Sequence, residues 1–90
     1  MLSPSERKSL KARAHPLEPV VTIGGKGVTG AVLAEIDRAL QAHELIKIRA
    51  AALEREEREH ALAAICEKIG AQAVQHIGKV LVLFRKNDEP

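Results

Sequence analysis

The β-branched run Val20-Val21-Thr22-Ile23 stops at Gly24-Gly25-Lys26-Gly27, and a helical stripe begins a few residues later. A short strand that breaks on glycines and feeds an amphipathic helix is half of a strand–helix–strand crossover. Alternating strands and helices of this kind point to an α/β layer fold. With 90 residues there is material for one small domain, since domains typically hold roughly 100–200 residues. Two mononucleotide-binding halves cannot be built from it.

The remaining elements follow from caps and periodicity. Ser3-Pro4-Ser5-Glu6 has the form of a helix start: Ser3 caps, Pro4 suits the first turn and Glu6 completes a capping box. This helix is expected to run to about Ala14, because Pro16 disfavours helical geometry at His15. Leu10 and Ala14 share one side of it, and Arg7, Lys8 and Lys11 share another. Pro19 to Ile23 reads as a strand. Thr29 caps a helix over about 30–42, with Val32, Leu33, Ile36, Ala39 and Leu40 as its apolar stripe. Leu45 to Ala50 alternates, which puts Ile46, Ile48 and Ala50 on one face and Leu45, Lys47 and Arg49 on the other.

A third helix is expected over 54–69, with Leu62, Ile65, Cys66 and Ile69 buried and Gly70 as a left-handed stop. Gln72–Ile77 and Val80–Phe84 are two strands joined at Gly78-Lys79. The order is α-β-α-β-α-β-β: a four-stranded mixed sheet packed with three helices. Its crossovers imply parallel pairing, and the last hairpin adds an antiparallel strand. Residues 1–86 make the single domain and 87–90 a frayed tail.

Charge is uneven although the formal net value is only +2. Residues 1–30 carry Arg7, Lys8, Lys11, Arg13 and Lys26 against Glu6 and Glu18, whereas 54–59 reads Glu-Arg-Glu-Glu-Arg-Glu. Such polarity suits a polyanion on one side; an ordinary solvated surface explains it equally well. Phe84 is the only aromatic residue, which argues against reading single strands by stacking bases on rings. No apolar run approaches the ~18 residues of a membrane span. The first residues do not resemble a secretory signal, so the cytoplasm is the expected address.

The glycine loop admits several readings. A strand-to-helix turn exposes backbone N–H groups beside a helix dipole, a setting that favours phosphate. Gly25, Gly27 and Gly30 spell G-x-G-x-x-G, but the ribose-binding acid of a dinucleotide site is replaced by Arg49-Ala50. A Walker loop fails, because glycine follows Lys26. Gly24-Gly25-Lys26-Gly27 also fits a G-x-x-G clamp of the kind that grips a nucleotide backbone. A tight turn whose glycines merely satisfy the backbone stays open beside it.

Three stretches then resemble the CRM domain (chloroplast RNA splicing and ribosome maturation), and among its members the stand-alone bacterial YhbY type. They are Val20 to Thr29 with Val32-Leu33-Ala34-Glu35-Ile36, His43-Glu44-Leu45-Ile46-Lys47-Ile48, and Ile77 to Arg85. The resemblance covers nearly the whole chain. It implies a fold like the C-terminal domain of translation initiation factor 3. It also implies RNA binding through the loop and an adjacent basic sheet face, and association with precursors of the large ribosomal subunit. The expected RNA-binding residues are Gly24, Gly25, Lys26, Gly27, Thr29, Lys47 and Arg49. Arg7, Lys8, Lys11, Lys79, Arg85 and Lys86 are further candidates, and the side taken by Arg85 depends on register.

Other chemistry finds little support. His15, His43, His60 and His76 are scattered without metal-ligand spacing, and Cys66 lies in an apolar stripe. His76 reaches RNA only if it faces the basic side. Glu54, Glu56, Glu57 and Glu59 suit a solvated helix start. We therefore expect no enzyme, cofactor or metal, and a monomer whose partner is ribosomal RNA. The alternative is an adaptor that docks on a ribosomal protein or another factor through its sheet.

Overall fold

The computed structural model describes residues 2–87 and realises the expected order. The elements are α1 (Pro4–Ala14), β1 (Pro19–Thr22), α2 (Gly30–His43), β2 (Leu45–Arg49), α3 (Arg55–Ile69), β3 (Gln72–Ile77) and β4 (Val80–Phe84). Ser3 Oγ accepts from Glu6 N at 3.0 Å, and Ser3 N donates to the Glu6 carboxylate at 2.9 Å. These bonds from Ser3 hold the Glu6 carboxyl below its ordinary range. A carboxylate depressed in this way supports α1 at neutral pH, and the support is lost as pH falls through the folded-state value. Thr29 Oγ1 caps α2 by accepting from Val32 N at 3.2 Å. Gly70 ends α3 at φ 74 and Gly78 makes the hairpin turn at φ 57.

Local expectations shift in three places. His15 keeps right-handed helical angles, φ −49 and ψ −47, and its N–H still bonds Lys11 O. The helix therefore stops because Pro16 has no N–H to continue the ladder, rather than because His15 is forced out of it. In α3 the fully buried pair is Ala61 and Ile65, while Leu62, Cys66 and Ile69 are only partly covered. Ile65 is the deepest contact of this helix, and Ala61, one turn before it, adds a small buried residue on the same side. Asn87, expected in the frayed tail, donates its backbone N–H to the Glu44 carboxylate and its side-chain amide to Gln41 O. Residues 88–90 of that tail lie outside the described residues.

The sheet order is β1-β2-β4-β3. β1 and β2 pair in parallel, and β4 is antiparallel to both β2 and β3. Strands β2 and β3 thus run the same way without touching, a departure from the expected run of parallel pairs. Composition explains the insertion. Val80-Leu81-Val82-Leu83-Phe84 is apolar throughout and buries its middle three residues, whereas Gln72-Ala73-Val74-Gln75-His76-Ile77 carries the polar groups that suit an edge.

Both faces of the sheet are covered. Val21, Ile23, Ile46, Ile48, Leu81 and Leu83 meet Ile36 and Leu40 of α2 and Ala61 and Ile65 of α3. On the opposite face Leu10 and Ala14 of α1 close over Leu45, Val74 and Val82. Because α1 offers only those two fully buried residues to the sheet, its docking depends on Leu10. Leu10→Ala should lower stability by roughly 2–5 kcal/mol in urea denaturation monitored by circular dichroism. A loss below about 1 kcal/mol would mean that the α1 layer contributes little.

Candidate nucleic-acid interface

The glycine loop is anchored at both ends. Ile23 is fully buried, and its N–H donates to Arg49 O at 2.8 Å. At the other end, Val28 packs on the core and Thr29 caps α2. Between these anchors Gly24, Gly25 and Lys26 are exposed. Gly27 N donates to Gly24 O at 3.0 Å, so the tip is a closed turn and the Gly27 N–H is engaged inside it. Of the backbone N–H groups that such a turn is expected to expose to phosphate, that one is therefore taken.

The glycines also sort by need. Gly27 has φ +76, where glycine is favoured. Gly24, Gly25 and Gly30 have no such angle, and a Cβ built on any of them meets nothing within 4 Å. Nothing inside the fold asks for glycine at those three positions. What bare backbone offers there is close approach from outside.

Register gathers cations beside this loop. Arg49 pairs with Thr22, the last residue of β1, and Ala50 N donates to Lys79 O at 2.8 Å. Lys26, Arg49 and Lys79, all exposed, thus belong to segments that meet at one end of the sheet. No strand contains a carboxylate, and α1 with the strands carries Arg7, Lys8, Lys11, Arg13, Lys47 and Arg49 against Glu6 alone. On the other side, α2 and α3 carry Glu35, Asp37, Glu56, Glu57, Glu59 and Glu67 against Arg38, Arg55, Arg58 and Lys68, a small acidic excess. The flank of the loop facing α3 opens on Glu57 and His60. An anion is therefore favoured on the α1 side.

Several expected contacts are corrected. The face bearing Leu45, Lys47 and Arg49 is not open along its length, because α1 lies over its Leu45 end. Lys47 is half-buried and donates from Nζ to His15 O at 3.1 Å, which leaves Arg49 as the exposed cation of β2. Arg7 donates to the Ala73 and Val74 carbonyls and so pins α1 to the irregularity in β3. Arg85 donates to Asp37 Oδ1 at 2.8 Å, and also to Asp37 O, Gln41 Oε1 and Ile69 O. Both arginines serve the fold. Lys86 is exposed, but Phe84 pairs with Leu45 at the start of β2, so Lys86 sits at the end of the sheet away from the loop. Lys8 and Lys11 remain exposed on α1.

His76 faces α3 rather than the basic side: its Nε2 lies 3.2 Å from Arg58 Nε and 3.1 Å from Gly78 O. Burial pushes the Cys66 thiol up from its ordinary value, which favours the protonated, weakly nucleophilic form. Among the described residues no group of three His, Cys, Asp or Glu is placed to hold a metal ion, and no helix is long and apolar enough to cross a membrane. Sequence reasoning singled out neither Val80, which pairs with Arg49, nor Ile77, which pairs with Val80, although the alternation of the final hairpin places both in the Arg49 row.

Three helices on a four-stranded mixed sheet, with a glycine–lysine loop opening beside a basic sheet end, define a compact α/β domain built around one loop. The chain belongs to the CRS1/YhbY (CRM) domain family, whose model matches residues 2–85. It is 47% identical over 88 residues to an RNA-binding protein of Haemophilus influenzae, covering 98% of this chain and 89% of that one. It is 40% identical to a Pseudomonas aeruginosa protein named a probable RNA-binding protein, over 99% of this chain and 86% of that one. A Staphylococcus aureus protein solved in solution superposes with a TM-score of 0.87 at 27% identity, covering 99% of this chain and 93% of that one.

The division between loop and fold residues can be measured directly. Arg7→Ala and Arg85→Ala should each cost roughly 1.5–3 kcal/mol, the range for hydrogen bonds made by charged groups. Gly25→Ala should stay within about 0.5 kcal/mol of wild type, and Gly27→Ala should cost about 1–2 kcal/mol through its left-handed backbone. Chemical denaturation of the four variants checks the order. Equal losses at Gly25 and Gly27 would contradict it.

Proposed function

We propose that this protein binds ribosomal RNA, associates with precursors of the large ribosomal subunit and assists their assembly without catalysing a reaction. The reading places it in the cytoplasm as a monomer with no cofactor. The observation that carries it is the bare Gly24-Gly25-Lys26 tip. It is held rigid at Ile23 and Thr29, stands beside Arg49 and Lys79, and needs no glycine at Gly24 or Gly25 for its own folding. The names of its relatives support RNA as the ligand class. Gly24 and Gly25 allow the sugar-phosphate chain to approach, Lys26 neutralises charge at the tip, and Arg49 continues the track. Lys47 adds its charge from beneath the end of α1. Contacts of this type position a backbone and read RNA shape more than sequence.

An adaptor that docks on a ribosomal protein is the second reading. It is favoured by a groove of about 400 Å³ at the β1 edge, whose apolar lining of Leu17, Val20, Leu45 and Ile46 is bordered by Arg13, Glu18 and His43, and where Leu17 and Val20 are exposed. Sucrose gradients of lysate with and without ribonuclease separate the two. Comigration with large-subunit particles that vanishes on digestion supports RNA, and persistence with protein partners supports the adaptor.

The double variant Gly25→Asp with Lys26→Asp should reduce ribosomal RNA binding at least tenfold in a filter assay while leaving the melting temperature nearly unchanged. Wild-type affinity in that variant would overturn the loop assignment. Binding should also weaken with salt, with a log–log slope of about 0.7–0.9 per phosphate contacted. A flat salt response would exclude a backbone-dominated interface.

A further inference from the structure

One cross-strand row lies largely outside the cover of α1: among the described residues Thr22, Arg49 and Ile77 in it are exposed, and Val80 is half-buried where it packs against the edge of the α1 cluster. Thr22 pairs with Arg49, Arg49 with Val80, and Val80 with Ile77, so these four residues cross β1, β2, β4 and β3 in a single line. They share a face, because their neighbours Val21, Ile48 and Leu81 point into the opposite core. The next rows on that face, through Val82 and through Leu45, are roofed by Leu10 and Ala14 of α1. α1 stops short of the Thr22–Ile77 row. Ile77 is 55% exposed, more than Leu17 or Val20, and Thr22 and Arg49 are exposed beside it.

This strip has a mixed chemistry. An aliphatic pair, Val80 and Ile77, lies next to a guanidinium, and the glycine loop follows Thr22 at one end of the row. The Lys79 turn joins β3 to β4 at the other. No carboxylate occurs on any strand. A ligand that fits must present a flat, weakly polar surface to Ile77 and Val80 and negative charge to Arg49, Lys79 and Lys26. An unstacked nucleotide does both. Its base has an apolar face that can rest on aliphatic side chains or on a guanidinium plane, and its phosphate answers the cations. Strands about 4.8 Å apart make the row about 14 Å long, comparable with the sheets on which RNA-recognition motifs display two or three bases.

We propose that Ile77, Val80 and Arg49 form an aromatic-free platform for unpaired bases, so that the RNA held by the loop is a single-stranded segment rather than a duplex. The proposal rests on the RNA reading above and adds what that reading lacks, a contribution from the bases themselves. A paired duplex keeps its base faces stacked and cannot reach the row.

The test uses the full chain and three probes of equal length: a ten-nucleotide single-stranded RNA, an abasic strand with the same phosphates, and a duplex of the same sequence. Wild type should bind the base-bearing strand roughly five- to tenfold more tightly than the abasic strand, and the duplex no better than the abasic strand. Ile77→Ser, at an exposed position that should leave folding intact, should bring the ratio of base-bearing to abasic affinity close to one without changing abasic affinity. The Gly25→Asp/Lys26→Asp variant should weaken both strands together. A wild-type ratio near one, preferred duplex binding, or an Ile77→Ser variant that keeps the wild-type ratio would overturn the platform while leaving the loop reading intact. Failure of wild type to bind any of the three probes would overturn the RNA reading itself.

Discussion

Ile23 joins the two halves of this molecule. Its side chain is sealed in the core between the sheet and α2, and its N–H extends the pairing of β1 with β2 by bonding Arg49 O. One residue later the chain is bare backbone in solvent. That abrupt change from fully buried to fully open makes the loop rigid at its base and accessible at its tip. A flexible loop would lose entropy on capturing a ligand, and a buried one could not reach it. The Thr29 cap secures the far side, and from there α2 carries Ile36 and Leu40 back onto the same core.

The first helix sets how much of the sheet stays open. By closing over Leu45, Val74 and Val82 it turns a sheet that would have had one wet face into one covered on both sides. Two basic residues are drawn into that closure. Arg7 satisfies carbonyls where β3 is irregular, and Lys47 satisfies His15 O where α1 has run out of donors. Their charge stays on the basic side, but their donors are partly committed to the fold. What remains open is the loop end of the sheet, where Thr22, Arg49, Val80 and Ile77 line up.

The same economy appears at the opposite end. Arg85 ties the end of β4 to Asp37 and Gln41 of α2 and to Ile69 of α3, and Asn87 fastens onto Gln41 and Glu44. Cations near a sheet are thus of two kinds: some close gaps between layers, and others face solvent with no carboxylate on the strands to answer them. Cations bonded to carbonyls, such as Arg7 and Lys47, keep their charge in the field offered to a polyanion, whereas Arg85 is answered by Asp37; the solvent-facing ones add to that field free donors as well.

Local chemistry was legible in the order of residues. The Ser3–Glu6 box, the Thr29 cap, the Gly70 stop and the Gly78-Lys79 turn each depend on neighbours within a few positions, so the seven elements and the glycine loop could be placed from the chain alone. Properties that join distant segments could not. The insertion of β4 between β2 and β3 pits one strand's apolarity against another's across the whole sheet. The burial of the Leu45 face depends on where α1 lands, and the structural service of Arg7 and Arg85 depends on groups such as Val74 O and the Asp37 carboxylate, 67 and 48 positions away. Short-range hydrogen bonding specifies elements; only packing decides which cations are consumed by the fold and which strand row is left facing water.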